Sequence, residues 1–357
     1  MLLEGLHIPL TTPFHPDGRL NTPKLAANVV RYSRTPAAGL IVLGPSSEPT
    51  LLSDDETREV LRTAAQAAAP EKVLIAGISR DSVRSTLDLA DFAAAHDYDA
   101  VLVGIPSVLA HITLAREQSG ARVRELLTHF RTIADRSPLP IIMYGDDGRV
   151  LPASSIIELA AHPNIIGLLT VEGSFVITEI VARTKTIQRE VTVTPVFAAV
   201  TARMKKAASR DATAPLISAS TLTGKSGAAI ADAPALPAIR TRTKTVGFQI
   251  LSRNSQSILE SLEAGAVGAA PPLAACAPQG CYEVYAAWKD GDQPLAKEKQ
   301  DRLSEAAYLT QHALGPGGLK FGCDLNGYFG GLPRLPHLPP TGAERTELEQ
   351  QMKPLRN

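Results

Sequence analysis

Eight short apolar runs punctuate this chain, and most of them are separated by amphipathic stretches of helical period. GLIVLG (39–44) leads into SDDETREVLRTAAQAAA (53–69), and KVLIAGI (72–78) into SVRSTLDLADFAAAHD (82–97). DAVLVGIP (99–106) precedes ARVRELLTHFRTIADR (121–136), and PIIMYG (140–145) precedes PASSIIELAAH (152–162) and NIIGLLT (164–170). HIPLTTPF (7–14), VGFQIL (246–251) and AVGAAP (266–271) complete the set. Runs that are apolar throughout, rather than at every second residue, belong to strands covered on both faces, as in parallel sheets. Repeated strand–helix alternation then predicts a parallel α/β fold. Eight strands fit a (β/α)8 barrel. An open doubly wound sheet is the competitor, and no G-x-G-x-x-G follows any strand to favour its dinucleotide-binding form. Ser53, ahead of Asp54, Asp55 and Glu56, predicts a capped helix start.

With 357 residues, 44% of them hydrophobic, the chain is long enough for one large domain or two ordinary ones. Lys+Arg and Asp+Glu both number 36, so no net field draws it to nucleic acid or to an anionic membrane. No apolar run approaches the ~20 residues that span a bilayer. The opening MLLEGLHIPLTTPF lacks a basic leader and carries Glu4 early, so a cytoplasmic protein is expected. Cys276, Cys281 and Cys323 have neither C-x-x-C spacing nor paired histidines, which predicts reduced, structural thiols.

The barrel is expected over 1–275 and a helical extension over 276–357, with a Pro-rich strap and a final helix in GLPRLPHLPPTGAERTELEQQM. Residues 191–245, rich in Ala, Ser, Thr and Pro with little periodicity, are expected to be a disordered insertion. Its GKS (224–226) lacks the upstream glycine and the preceding strand of a phosphate loop.

In order and spacing these segments resemble the dihydrodipicolinate synthase / N-acetylneuraminate lyase family. The resemblance lies in IPLTTPFHPDGRLN, AAGLIVLGPSSEPTLLSDDE, VLIAGISRDSVRST, LPIIMYGDDGR, HPNIIGL and LEAGAVGAAPPLAACAP. It implies a (β/α)8 barrel, no cofactor and no metal, a small carboxylate such as a pyruvate-like 2-oxo acid as ligand, and a homo-oligomer, dimer or tetramer. It also implies a lysine that forms a Schiff base with the 2-oxo acid.

Carried across residue by residue, the resemblance makes Tyr144 the proton-relay tyrosine, since a phenol both donates and accepts. Arg149 falls near the substrate-binding arginine, whose fork suits a second carboxylate. Ser46 and Ser47, in a loop where the family has T-T-G-E, are the expected carboxylate cradle. Pro45 replaces the relay threonine and offers neither hydroxyl nor N–H. Ser107 and Val108 stand where aromatic residues are usual. The Schiff-base position holds Leu169, and residues 160–184 contain no lysine. Imine formation needs a primary amine, which leucine does not have.

Three readings follow. A lyase or hydro-lyase reaction proceeds without the imine, with Tyr144 as acid/base, Ser46 and Ser47 holding a carboxylate and Arg149 anchoring the far end. Glu172, just past the strand, is another acid/base candidate, and Lys205, Lys206 or Lys225 of the insertion is a possible relocated amine. In the second reading the chain is an inactive paralogue that binds ligand or regulates an oligomer. The third, a metal-dependent barrel enzyme, is opposed by scattered histidines such as His111. Lys320 matches a family lysine that is not the nucleophile.

Overall fold

The computed structural model describes residues 1–110, 120–145, 151–213 and 239–356. His111, Arg149, Lys225 and the GKS segment lie outside the described residues. Eight parallel strands close into a barrel: β1 (Gly5–Pro9), β2 (Gly39–Val42), β3 (Val73–Gly77), β4 (Ala100–Gly104), β5 (Ile141–Tyr144), β6 (Ile165–Thr170), and then β9 (Gln249–Ser252) and β10 (Gly268–Ala269), which pairs back onto β1. The intervening β7 (Arg189–Val193) and β8 (Arg242–Val246) form a separate antiparallel hairpin. The helices are α1 (Thr22–Ser33), α2 (Asp54–Ala67), α3 (Val83–Ala95), the single turn α4 (Ser107–Ala110), α5 (Gly120–Arg136), α6 (Ala153–Ala160), α7 (Ser174–Thr184), α8 (Ala202–Thr213) and α9 (Ile258–Glu263). A C-terminal set follows in α10 (Pro278–Lys289), α11 (Gln293–Tyr308), α12 (Gly315–Leu325) and α13 (Gly342–Met352).

The uniformly apolar strands are explained by two cores. Leu40, Leu74, Val101, Ile141, Leu168 and Ile250 face the helices, whereas Ile41, Ile75, Leu102, Ile142, Leu169 and Leu251 meet inside the barrel. Neighbours in sequence thus point to opposite faces, and both faces are dry. One irregularity matters for the site. Ile141 pairs with Ile165 but Ile142 pairs with Gly167, so Ile166 is an extra residue that resets the alternation and leaves Leu169 pointing inward. His7 shares the interior: it is fully buried on β1 between the outward Leu6 and Ile8, and its ring lies where a side chain on Gly39 would stand.

Helix α2 starts as its sequence predicts. The Ser53 hydroxyl accepts from the Glu56 N–H, and the Glu56 carboxylate accepts from the Ser53 N–H. All three cysteines are buried and free.

The expectation of disorder across 191–245 is corrected at both of its ends. Val191, Val193 and Val246 pack with Leu2 and Ala199 in a small core of their own. The following turn docks under the N-terminal ends of β3 and β4. The Ala202 N–H donates to Asp99 Oδ1 at 2.7 Å, and Arg203 donates to the Asp97 carbonyl at 3.0 Å and to the Lys72 carbonyl. Asp99 also accepts from the Leu74 N–H at 2.9 Å, so one buried carboxylate ties arm to barrel. The physical reason is tertiary packing: alternating Thr and Val make a two-stranded ladder with one apolar side, which the underside of the barrel covers. The middle of the arm, 214–238, is outside the described residues.

Candidate active site at the barrel mouth

Catalytic groups of a (β/α)8 barrel gather where its strands end and its βα loops begin. Here that rim carries a cleft of about 310 Å³. Leu43, Gly77, Ile105, Pro106 and Tyr144 give it apolar walls, and Ser79, Arg80, Asp81 and Ser107 supply its polar edge.

Tyr144 ends β5, and its half-buried ring crosses to the neighbouring strand. A side chain on Gly104 would lie 2.5 Å from the tyrosine Cζ and 2.8 Å from its Oη, so only a glycine leaves this space open. The Gly104 N–H donates to Ser79 Oγ at 2.8 Å, which fixes the strand end beneath the phenol. Burial pushes the nearby His129 imidazole down to about 4, against an opposing bond to the Gly104 backbone, so it is neutral near pH 7. Beside the phenol, Asp81 accepts from both the N–H and the hydroxyl of Ser107, each at 2.6 Å. Arg80 is held by Thr57 Oγ1 at 2.8 Å, the Ser79 carbonyl at 3.0 Å and Asp54.

Leu169 is buried in the interior core one strand away, and Tyr144 is its cross-strand partner. No amine rises from this position. Lys205 and Lys206 belong to the arm under the opposite end of the barrel, where Lys206 pairs with Asp97. Glu172 is half-buried just beyond β6, with its N–H on Thr170 Oγ1 at 3.0 Å.

The β2 loop is a tight turn over Pro45–Ser47. Ser47 is buried; its hydroxyl donates to the Gly44 carbonyl at 2.6 Å and its own carbonyl accepts from Thr12 Oγ1 at 2.7 Å. That hydroxyl closes the turn. Ser46 is half-buried in the same turn, and neither serine lines the cleft. The structure therefore brings Tyr144 to the cleft without Ser46 or Ser47.

The C-terminal extension braces this loop. Glu48, in a left-handed conformation (φ 58°), reaches the Lys320 ammonium at 2.5 Å, and both side chains are fully buried. Burial pushes the Lys320 ammonium below the usual lysine range, and Glu48 opposes that shift. Lys320 and Arg334 both lie over the Phe14 ring, and Arg334 grips Glu56 with two bonds of 2.6 and 2.8 Å. Lys320 is thus committed to Glu48 and does not face the cleft.

The cleft residues Ser79, Arg80 and Asp81 lie in the VLIAGISRDSVRST segment of the resemblance, but no motif marks them singly, so sequence alone assigns them no role. Nor does any motif mark Arg253, a nearly buried guanidinium immediately after β9. Only strand register reveals its position.

Comparisons with known proteins bear on this site. The sequence pattern of the dihydrodipicolinate synthetase family matches residues 2–195. The 4-hydroxy-tetrahydrodipicolinate synthase of Acidiphilium cryptum is 26% identical over 354 residues, covering 98% of each chain, a span that includes the arm. The N-acetylneuraminate lyase of Rhizobium meliloti is 34% identical over 172 residues, which is 47% of this chain and 53% of that one. Among solved structures, dihydrodipicolinate synthase from Bacillus anthracis superposes with a TM-score of 0.74 at 19% identity, over 99% of both chains. A prophage protein of the dihydrodipicolinic acid synthase family from E. coli K12, solved in complex with pyruvate, gives 0.72 at 19% identity, again over 99% of both. At these identities the two structures share its fold.

Proposed function

This chain belongs to the dihydrodipicolinate synthetase family, whose named relatives are lyases, and we propose that it holds a pyruvate-like 2-oxo acid non-covalently at the barrel mouth, without an imine. The observation that carries this reading is Leu169. It occupies the inward position on β6 that HPNIIG pins, it is buried against Leu251 and Ile142, and it has no nucleophile to offer. A related fold solved with pyruvate supports the ligand class.

Proton transfer at a carbon next to a carbonyl is the chemistry that remains open to such a site. It needs a group able to give and take a proton at the ligand, and Tyr144 on the cleft wall is that group. Lyase or hydro-lyase turnover through Tyr144 is therefore the second reading. Without turnover the same site is that of a ligand-binding paralogue.

Titration calorimetry with pyruvate and a series of longer 2-oxo acids tests the first reading. Saturable binding of at least one is expected, weakened in Tyr144→Phe. Loss of the 2-oxo chromophore over time under the same conditions distinguishes turnover from binding alone. No binding of any 2-oxo acid by the folded protein overturns the proposal.

A further inference from the structure

Where the family resemblance places a lysine, β6 presents a leucine, yet a nearly buried arginine, Arg253, directly follows the neighbouring strand β9. On β9 the side chains alternate. Gln249 points into the barrel, where its carbonyl oxygen accepts from the Leu3 N–H at 2.7 Å, and Leu251 joins the interior core with Leu169. Ser252 points the other way, its hydroxyl bonded to Ser261 of α9 at 2.9 Å. Arg253 follows as the next inward position. Its N–H donates to the Thr170 carbonyl at 2.7 Å, which extends the β6–β9 ladder one step beyond the strands. Arg253 therefore stands one inward step above Leu251, on the strand paired with Leu169, and is only 9% exposed.

The loop that carries it is held from three sides. Ser255 is fully buried; its N–H donates to Gln311 Oε1 at 3.2 Å, its carbonyl accepts from Gln300 Nε2 at 3.1 Å, and its hydroxyl accepts from the Leu273 N–H at 3.2 Å. A binding group on a pre-ordered loop loses little freedom when a ligand arrives.

From this placement we infer that Arg253 is the residue that holds the ligand carboxylate, the positive charge having moved from β6 to the adjacent strand β9. The inference rests on the reading that the mouth binds a 2-oxo acid. A guanidinium cannot form the imine, so charge is retained while covalent chemistry is lost. Its five N–H donors let it keep a protein partner and still present a two-point face to a carboxylate. The leucine floor lowers the local dielectric and strengthens that contact. The ligand class is a monocarboxylate with its 2-oxo group directed toward Tyr144.

The test is calorimetry of wild type, Arg253→Lys and Arg253→Met with pyruvate and with pyruvamide, which keeps the 2-oxo group but has no charge. Circular dichroism checks that each variant folds, and Arg253→Lys provides a conservative variant if the methionine does not. Wild type is expected to prefer pyruvate. Arg253→Met should lose at least about tenfold in pyruvate affinity and nothing for pyruvamide, with partial rescue in Arg253→Lys. Equal pyruvate affinity in all three proteins overturns the role of Arg253 and leaves the binding reading intact. Tighter binding by Arg253→Met would mean that the side chain fills the site instead. No binding by wild type overturns both.

Discussion

Tyr144 and Leu169 are cross-strand partners on β5 and β6, so the tyrosine of the cleft wall stands beside a leucine buried in the barrel interior. Under the proposed function the phenol is the group that exchanges a proton with the ligand, and the buried hydrocarbon beside it offers no amine for an imine.

The position of Tyr144 depends on Gly104. A methyl there would meet the tyrosine ring at 2.5 Å, and the half-buried ring must move. Gly104→Ala is expected to destabilise the fold by about 1–3 kcal/mol and to weaken 2-oxo acid binding. In a Tyr144→Ala background the same substitution should be nearly neutral. Thermal unfolding of the four proteins of this double-mutant cycle measures the coupling.

Lys320 and Glu48 form a fully buried ion pair that braces the β2 loop. Lys320→Met leaves a buried carboxylate without its counter-charge and should destabilise by about 3–5 kcal/mol. Lys320→Met combined with Glu48→Gln should recover much of that loss. Urea unfolding of wild type, both single variants and the double variant decides it, and single-variant losses that simply add in the double variant would show that the pair is not coupled.

Burial pushes the His7 imidazole down to about 4, so the unfolded chain takes up this proton first as pH falls. The contribution of neutral His7 is complete above the ordinary histidine value near 6.5, is lost progressively between about 6.5 and 4, and is constant below. That difference amounts to roughly 3 kcal/mol at the acid end. Denaturant midpoints of wild type and His7→Gln across this range should therefore converge toward acid pH. Parallel curves would contradict the neutral, buried imidazole.

Asp99 joins the arm to the barrel through the Leu74 and Ala202 N–H groups, with Arg203 3.8 Å away. Asp99→Ala orphans both donors and is expected to destabilise by about 3 kcal/mol. Hydrogen exchange should quicken most in β7 and β8. Unchanged protection there would mean that the hairpin is held by its valines alone.

Much of this architecture was legible in the sequence, for identifiable reasons. A strand buried on both faces has to be apolar throughout, which made the eight barrel strands conspicuous. Ser53, ahead of Asp54, Asp55 and Glu56, announced a capped helix start, and NIIGLLT announced the strand that holds Leu169. The arm was misread because its ordered parts are brief Thr/Val alternations at the two ends of a polar stretch. Their stability comes from Asp99 and Leu2, far away in sequence. Ser47 illustrates another limit: a serine in a turn can present its hydroxyl to a ligand or to its own backbone, and only the bond to Gly44 distinguishes them. Arg253 carries no motif. It becomes visible only once Gln249, Leu251 and Ser252 show which way β9 alternates.

Borohydride trapping read by intact mass tests most directly whether this barrel forms an imine with pyruvate. The protein is incubated with pyruvate, reduced, and compared with a lysine-bearing relative treated in parallel. An adduct is expected on the relative and an unmodified mass for this chain, alongside saturable pyruvate binding in the absence of borohydride. A stoichiometric adduct mapping to any lysine of this chain would contradict that expectation, because the imine would then have survived the replacement at Leu169.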